Sequence, residues 1–213
     1  MKIALFLHQP KCSIESGNGI LRALQPYHQF KIFTKWKLDR DFFDDVDMIA
    51  VPGGIGDAAS FGYLLREHND RIREFIERGG RYLGICMGAY WAGSNYFDIL
   101  KDVDAVQYMT RPNTDTRRPH AKNISITWQG TPMNMFWYDG CALVGDSSKF
   151  KTIATYANGD PMAIIQDRIG LIGCHPESEP NWYSEYYSWM KPHYHNGHHH
   201  KLLLDFVEDL SKK

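Results

Sequence analysis

Five short apolar runs set the terms on which this chain can fold: Lys2–His8, Phe30–Thr34, Asp47–Pro52, Arg81–Ile85 and Ile169–Cys174. Runs of this length suit strands buried in a parallel sheet better than helices. Between them lie helical patterns. Gly17–Tyr27 carries Ile20, Leu21 and Leu24 at helical spacing, and Asp70–Arg78 sets Ile72, Phe75 and Ile76 on one face before Gly79-Gly80 ends it. The stretch from Asp57 onward is predicted to be helical with a break near Phe61-Gly62, and a last helix is expected over His200–Leu210. Strand and helix in alternation define βαβ units with right-handed crossovers, hence an α/β fold around a parallel sheet.

The middle of the chain, from about Val103 to Ile169, reads differently. Ile124–Trp128 and Met133–Trp137 have the look of antiparallel strands, and Gly130, Gly140, Gly145 and Gly159 punctuate the region as turn residues. Asn158-Gly159-Asp160 predicts a turn before a strand at Pro161–Gln166, and the polar Arg111–His120 segment is expected to be an exposed loop. With no repeat, linker or low-complexity tract, residues 1–213 are expected to form a single domain.

The chemistry concentrates at Gly84-Ile-Cys-Met-Gly88, where an apolar strand gives way to a helix expected over Met87–Asn95. Glycines two residues to either side of Cys86 let strand and helix approach closely while a strained turn pushes the middle side chain outward. This is the logic of a nucleophile elbow, with a thiol in place of the hydroxyl. A cysteine nucleophile needs a base, and the base needs an orienting group. His175-Pro-Glu177 supplies both at the end of another strand, because residues two apart in extended backbone point the same way. An oxyanion hole would come from the backbone N–H of Met87 and from Gly54 or Ile55, in the Gly53–Gly56 loop that follows the third strand.

These blocks resemble the class I glutamine amidotransferase superfamily. Within it, Val51-Pro-Gly-Gly54, Ile76–Tyr90 and Gly173-Cys-His-Pro-Glu177 most resemble the biotin-protein-ligase N-terminal type domain. The resemblance implies a flavodoxin-like three-layer sandwich with a mostly parallel central sheet, here with an antiparallel insertion in the second half. It also implies a catalytic triad of Cys86, His175 and Glu177 acting through a thioester. Glutamine-hydrolysing members typically carry Gln two residues before that His, where this chain has Gly173, so the resemblance leaves the use of glutamine open. The chain is also similar to PfpI-like hydrolases, but their paired His directly follows the cysteine, where Met87 stands here.

Composition narrows the rest. A formal charge of −1 argues against a nucleic-acid or anionic-membrane footprint, so the expected substrate is a small-molecule amide or acyl compound. No apolar run is long enough to span a bilayer, and Met1–His8 is too quickly interrupted for a signal peptide, so a cytoplasmic protein is expected. Cys12, Cys86, Cys141 and Cys174 are scattered without a C-x-x-C pair, which suits reduced thiols. Cys174 should face away from His175 and be inert. Cys12, beside Ser13, Glu15 and Asn18, lies where the first helix is capped, near the same face. No cofactor and no metal are expected; His193, His195, His198, His199 and His200 read as an exposed polar loop. Trp182, Tyr183, Tyr186, Tyr187 and Trp189 are expected to pack as core or lid. Two further readings stay open beside a stand-alone amide hydrolase: a non-catalytic binding or regulatory module of the same fold, and an amidotransferase subunit requiring a synthase partner.

Overall fold

The computed structural model describes residues 1–9, 14–36, 38–184 and 188–213. Cys12, Ser13, Tyr186 and Tyr187 therefore lie outside the described residues. The first half of the chain comprises β1 (Lys2–Phe6), α1 (Ile14–Leu24), β2 (Gln29–Phe33), β3 (Met48–Val51), α2 (Ala58–Leu64), α3 (Asn69–Glu77), β4 (Arg81–Ile85) and α4 (Met87–Trp91). The second comprises β5 (Val103–Gln107), β6 (Lys122–Trp128), β7 (Thr131–Trp137), β8 (Cys141–Gly145), β9 (Lys151–Tyr156), β10 (Pro161–Gln166), β11 (Ile169–Ile172) and α5 (His198–Ser211).

Among the described residues, one nine-stranded sheet runs β2-β1-β3-β4-β11-β10-β9-β6-β7. Pairings from β2 to β11 are parallel, and those from β11 to β7 are antiparallel. The antiparallel strands thus extend the central sheet, with β5 and β8 alone forming a separate pair. Alternation along β1 shows how the layers form. Ile3 and Leu5 join Ile20 and Leu24 of α1 and Leu203 and Phe206 of α5 on one face. Ala4 and Phe6 join Phe61 of α2, Ile72 of α3 and Trp91 of α4 on the other. The result is a three-layer α/β sandwich, as expected for a flavodoxin-like fold.

Two helices differ from the sequence expectation. The first, α2, runs unbroken through Phe61-Gly62, because Asp57 caps it, its Oδ1 accepting from the Ser60 N–H at 2.6 Å, and the break falls instead at Leu65 (φ −133°). The helix after Cys86 stops at Trp91, since the Gly93 and Asp98 N–H groups close turns onto the carbonyls of Tyr90 and Gly93. The 193–200 histidines are also not an exposed loop. Three of them open α5, His199 is buried, and its ring stacks on His195 with centroids 4.3 Å apart. No described helix is long and apolar enough to cross a membrane.

Candidate active site

β4 and β11 lie side by side, Ile85 opposite Ile172, so the residues that follow them emerge together at the carboxyl edge of the sheet. This is where open α/β sheets hold ligands. Cys86 sits between β4 and α4 with φ 49° and ψ −103°, a left-handed backbone that a non-glycine residue adopts only under constraint. Two hydrogen bonds impose it: the Cys86 N–H to the Ile172 carbonyl at 2.8 Å, and the Tyr90 N–H to the Cys86 carbonyl at 3.0 Å. The bracketing glycines are sterically required. A Cβ on Gly84 would stand 2.5 Å from the Gly88 carbonyl oxygen, and one on Gly88 would stand 2.0 Å from that of Val51. The elbow read in the sequence is therefore present as backbone geometry.

After β11 the chain is tied to β7 by the His175 N–H to the Phe136 carbonyl, at 2.9 Å. His175 Nδ1 lies 2.8 Å from Glu177 Oε1, and both side chains are buried. The pair is in the orientation that the two-residue spacing predicted. Burial pulls the imidazole pKa down, but the charges of Glu177 and Cys86 and the hydrogen bonds with both outweigh it and push His175 up to about 10. Phe136 and Trp182 meet the His175 ring edge to face, at centroid distances of 5.9 and 5.3 Å. Two of the aromatics following the His-Pro-Glu segment act as packing: Tyr183 is buried, and Trp182 closes over His175.

Sequence reasoning missed a further member. Ser16, on the buried face of α1, donates its hydroxyl to Glu177 Oε1 at 2.6 Å and accepts the Gly53 N–H at 2.8 Å. One side chain thereby joins the first helix, the glycine loop and the carboxylate. Gly19, one turn on, explains why a helix tolerates glycine here: a Cβ would lie 2.1 Å from the Glu177 carbonyl oxygen. The only signal available was a serine on the same buried face as Ile20 and Ala23.

The histidine cluster also supports this loop. His195 Nε2 donates to the Ser178 carbonyl at 2.9 Å, while its Nδ1 accepts from the Gly197 and His199 N–H groups. Burial draws His195 down to about 4 and His199 to about 3, so both are neutral at physiological pH; for His195 the acceptor role of Nδ1 requires it. Among the described residues no group of three His, Cys, Asp or Glu side chains is arranged to hold a metal.

Cys86 is 6% exposed, and its Sγ lies 3.6 Å from the Tyr138 carbonyl oxygen. It opens into a cleft of about 290 Å³. Gly54, Ile55, Met87, Tyr90, Tyr138 and Asp139 are among the residues that line it. Met87 is the first residue of α4, so its N–H has no acceptor within the helix. Cys174 is fully buried in the same hydrophobic cluster that Cys86 borders, and burial holds its thiol well above the ordinary range. Gly173 is packed tightly: a Cβ there would lie 2.1 Å from the Cys141 carbonyl oxygen and 2.5 Å from the Tyr156 hydroxyl.

In fold this chain is similar to solved glutamine amidotransferases. A glutamine amidotransferase from Thermotoga maritima has TM-score 0.72 at 11% identity, covering 100% of this chain and 98% of its own. A putative GMP synthase subunit from Thermoplasma acidophilum has TM-score 0.66 at 13% identity, covering 100% and 94%. PurLQS from Thermotoga maritima has TM-score 0.65 at 14% identity, covering 98% of each chain. The family model described as biotin-protein ligase, N terminal, matches residues 11–106, the part that carries Cys86 and the glycine loop. No curated protein matches the sequence.

Proposed function

We propose that this protein is a cysteine-dependent amide hydrolase or acyl transferase, with Cys86 as nucleophile, His175 as its acid-base partner and Glu177 orienting the imidazole. The observation that carries the reading is the coincidence at one sheet edge of a strained cysteine and a buried imidazole fixed by a carboxylate. Structural residues rarely hold such a backbone.

In the reaction, the Cys86 thiol has already passed its proton to His175, and the thiolate Sγ attacks the amide carbonyl carbon. The oxyanion is held by the Met87 N–H and by an N–H of Gly54 or Ile55. The C–N bond then breaks, His175 returns the proton to the departing amine, and a thioester remains on Cys86. Water, deprotonated by His175, attacks the thioester to release a carboxylic acid and regenerate the thiol. The hydrogen bond to Glu177 keeps the proton-bearing Nδ1 turned away from the sulfur and stabilises the imidazolium. Ser16 is a positioning residue that fixes Glu177.

A second reading shares this chemistry but hands the amine to a partner. The likeness in fold to a protein named for GMP synthase favours it, because that name denotes one subunit of a synthase. The close packing of Gly173 favours a substrate other than free glutamine, because no Gln side chain fits there. Turnover of a panel of small amides, with Cys86→Ser as the control, tests the proposal. Product above the control supports an enzyme. A panel on which both proteins are equally silent, with and without synthase-containing extract, contradicts it and leaves a binding module.

A further inference from the structure

Among the described residues, the lining of the cleft over Cys86 includes acidic side chains, those of Asp57 and Asp139, but no basic ones. Asp57 is occupied as the cap of α2. Asp139 is different. It sits in a left-handed turn at φ 48°, half-buried, and both its oxygens accept from the single Nε2 of Gln107, at 3.0 and 3.1 Å. A neutral amide leaves its charge uncancelled, and a carboxylate offers about four acceptor sites. No ion-pair partner for it exists among the described residues. Beside it, Tyr90 is fixed by its hydroxyl to the Asp139 carbonyl at 3.1 Å, and Tyr138 is 49% exposed at the cleft mouth. Aromatic rings next to an unpaired carboxylate form a setting for an organic cation.

We infer that the compound acylating Cys86 carries a positive charge, an ammonium or similar cation, close to its scissile carbonyl, and that Asp139 recognises it. The inference rests on Cys86 being the nucleophile.

Methanethiosulfonates test this without turnover, because the thiolate attacks the reagent sulfur, forms a mixed disulfide and expels methanesulfinate. Rates at Cys86 are followed by peptide mass for the 2-(trimethylammonium)ethyl, 2-sulfonatoethyl and methyl reagents, each normalised to its rate with 2-mercaptoethanol. The cationic reagent is expected to exceed the anionic one by on the order of tenfold at low salt. That ratio should shrink severalfold both in Asp139→Asn and in wild-type protein at 1 M salt, where screening acts within about 3 Å. A ratio near one in wild-type protein, alongside rapid methyl labelling, overturns the cationic substrate and leaves the nucleophile standing. Methyl labelling of Cys86 no faster than that of a small thiol would sink the nucleophile reading and this inference with it.

Discussion

At the scale of single residues, the site depends on a buried relay that runs from Gly53 through Ser16 and Glu177 to His175. Each link is a hydrogen bond between groups shut off from water, so removing one strands its neighbour. Ser16→Ala leaves the Gly53 N–H without its acceptor and Glu177 with one donor fewer. It should lower stability by about 1–3 kcal/mol in urea unfolding and displace the pH midpoint of Cys86 alkylation. A purely structural serine would lower stability and leave that midpoint in place. The elevated His175 pKa makes a second, signed prediction. The folded value of about 10 lies above the ordinary imidazole value of 6.5, so the stability it contributes is complete below about pH 6.5 and disappears as pH rises through about 10. Unfolding free energies of wild type minus His175→Gln should therefore narrow across that window. A difference that stays constant or widens would contradict the assigned interactions.

At the scale of elements, the elbow is held by close backbone contact rather than by side chains. Gly88→Ala would drive a methyl against the Val51 carbonyl, and we expect a loss of about 3 kcal/mol or more in chemical denaturation. Gly130→Asn makes a useful contrast. Gly130 has φ 83° with nothing within 4 Å of the place a Cβ would take, and Asn tolerates that backbone, so the change should fall within about 1 kcal/mol. The same physics decides what was legible in the sequence. Arg81–Ile85 and Pro161–Gln166 end where their apolar runs end, and the strand–turn–helix around Cys86 followed from its glycines. The pairing of Ile124–Trp128 with Met133–Trp137 was equally visible. That these strands extend the main sheet was not, because alternation marks an exposed or half-buried strand without naming its neighbour. The early stop of α4 and the continuity of α2 depend on Gly93, Asp98 and the Asp57 cap, local devices that override helical periodicity. Ser16 and Ser178 were invisible for a further reason: their partners are 161 and 17 residues away in the chain.

At the scale of the whole molecule, the first helix, the glycine loop, β4, β7 and the segment after β11 meet at one edge of the sheet, so the proposed centre exists only in the assembled fold. His195, just before α5, and His200, in its first turn, brace the same place through the Ser178 carbonyl. Grafting a Gln at position 173, as glutamine-hydrolysing amidotransferases carry two residues before their His, should fail for the same global reason. Gly173→Gln collides with the Cys141 carbonyl and the Tyr156 hydroxyl, and we expect a lower Tm with no glutamine-dependent ammonia release. A stable variant that hydrolyses glutamine would show that the packing relaxes and that this residue alone sets the substrate. The central claim is that Cys86, His175 and Glu177 act as one unit, and the pH dependence of iodoacetamide alkylation at Cys86 tests it most directly. The unit predicts rapid alkylation of the wild type at neutral pH. In His175→Ala the rate should fall by at least about tenfold and should rise only as pH approaches the range of an ordinary thiol, near about 8.5. Glu177→Gln should lie between the two. Superimposable profiles for the three proteins would contradict the claim.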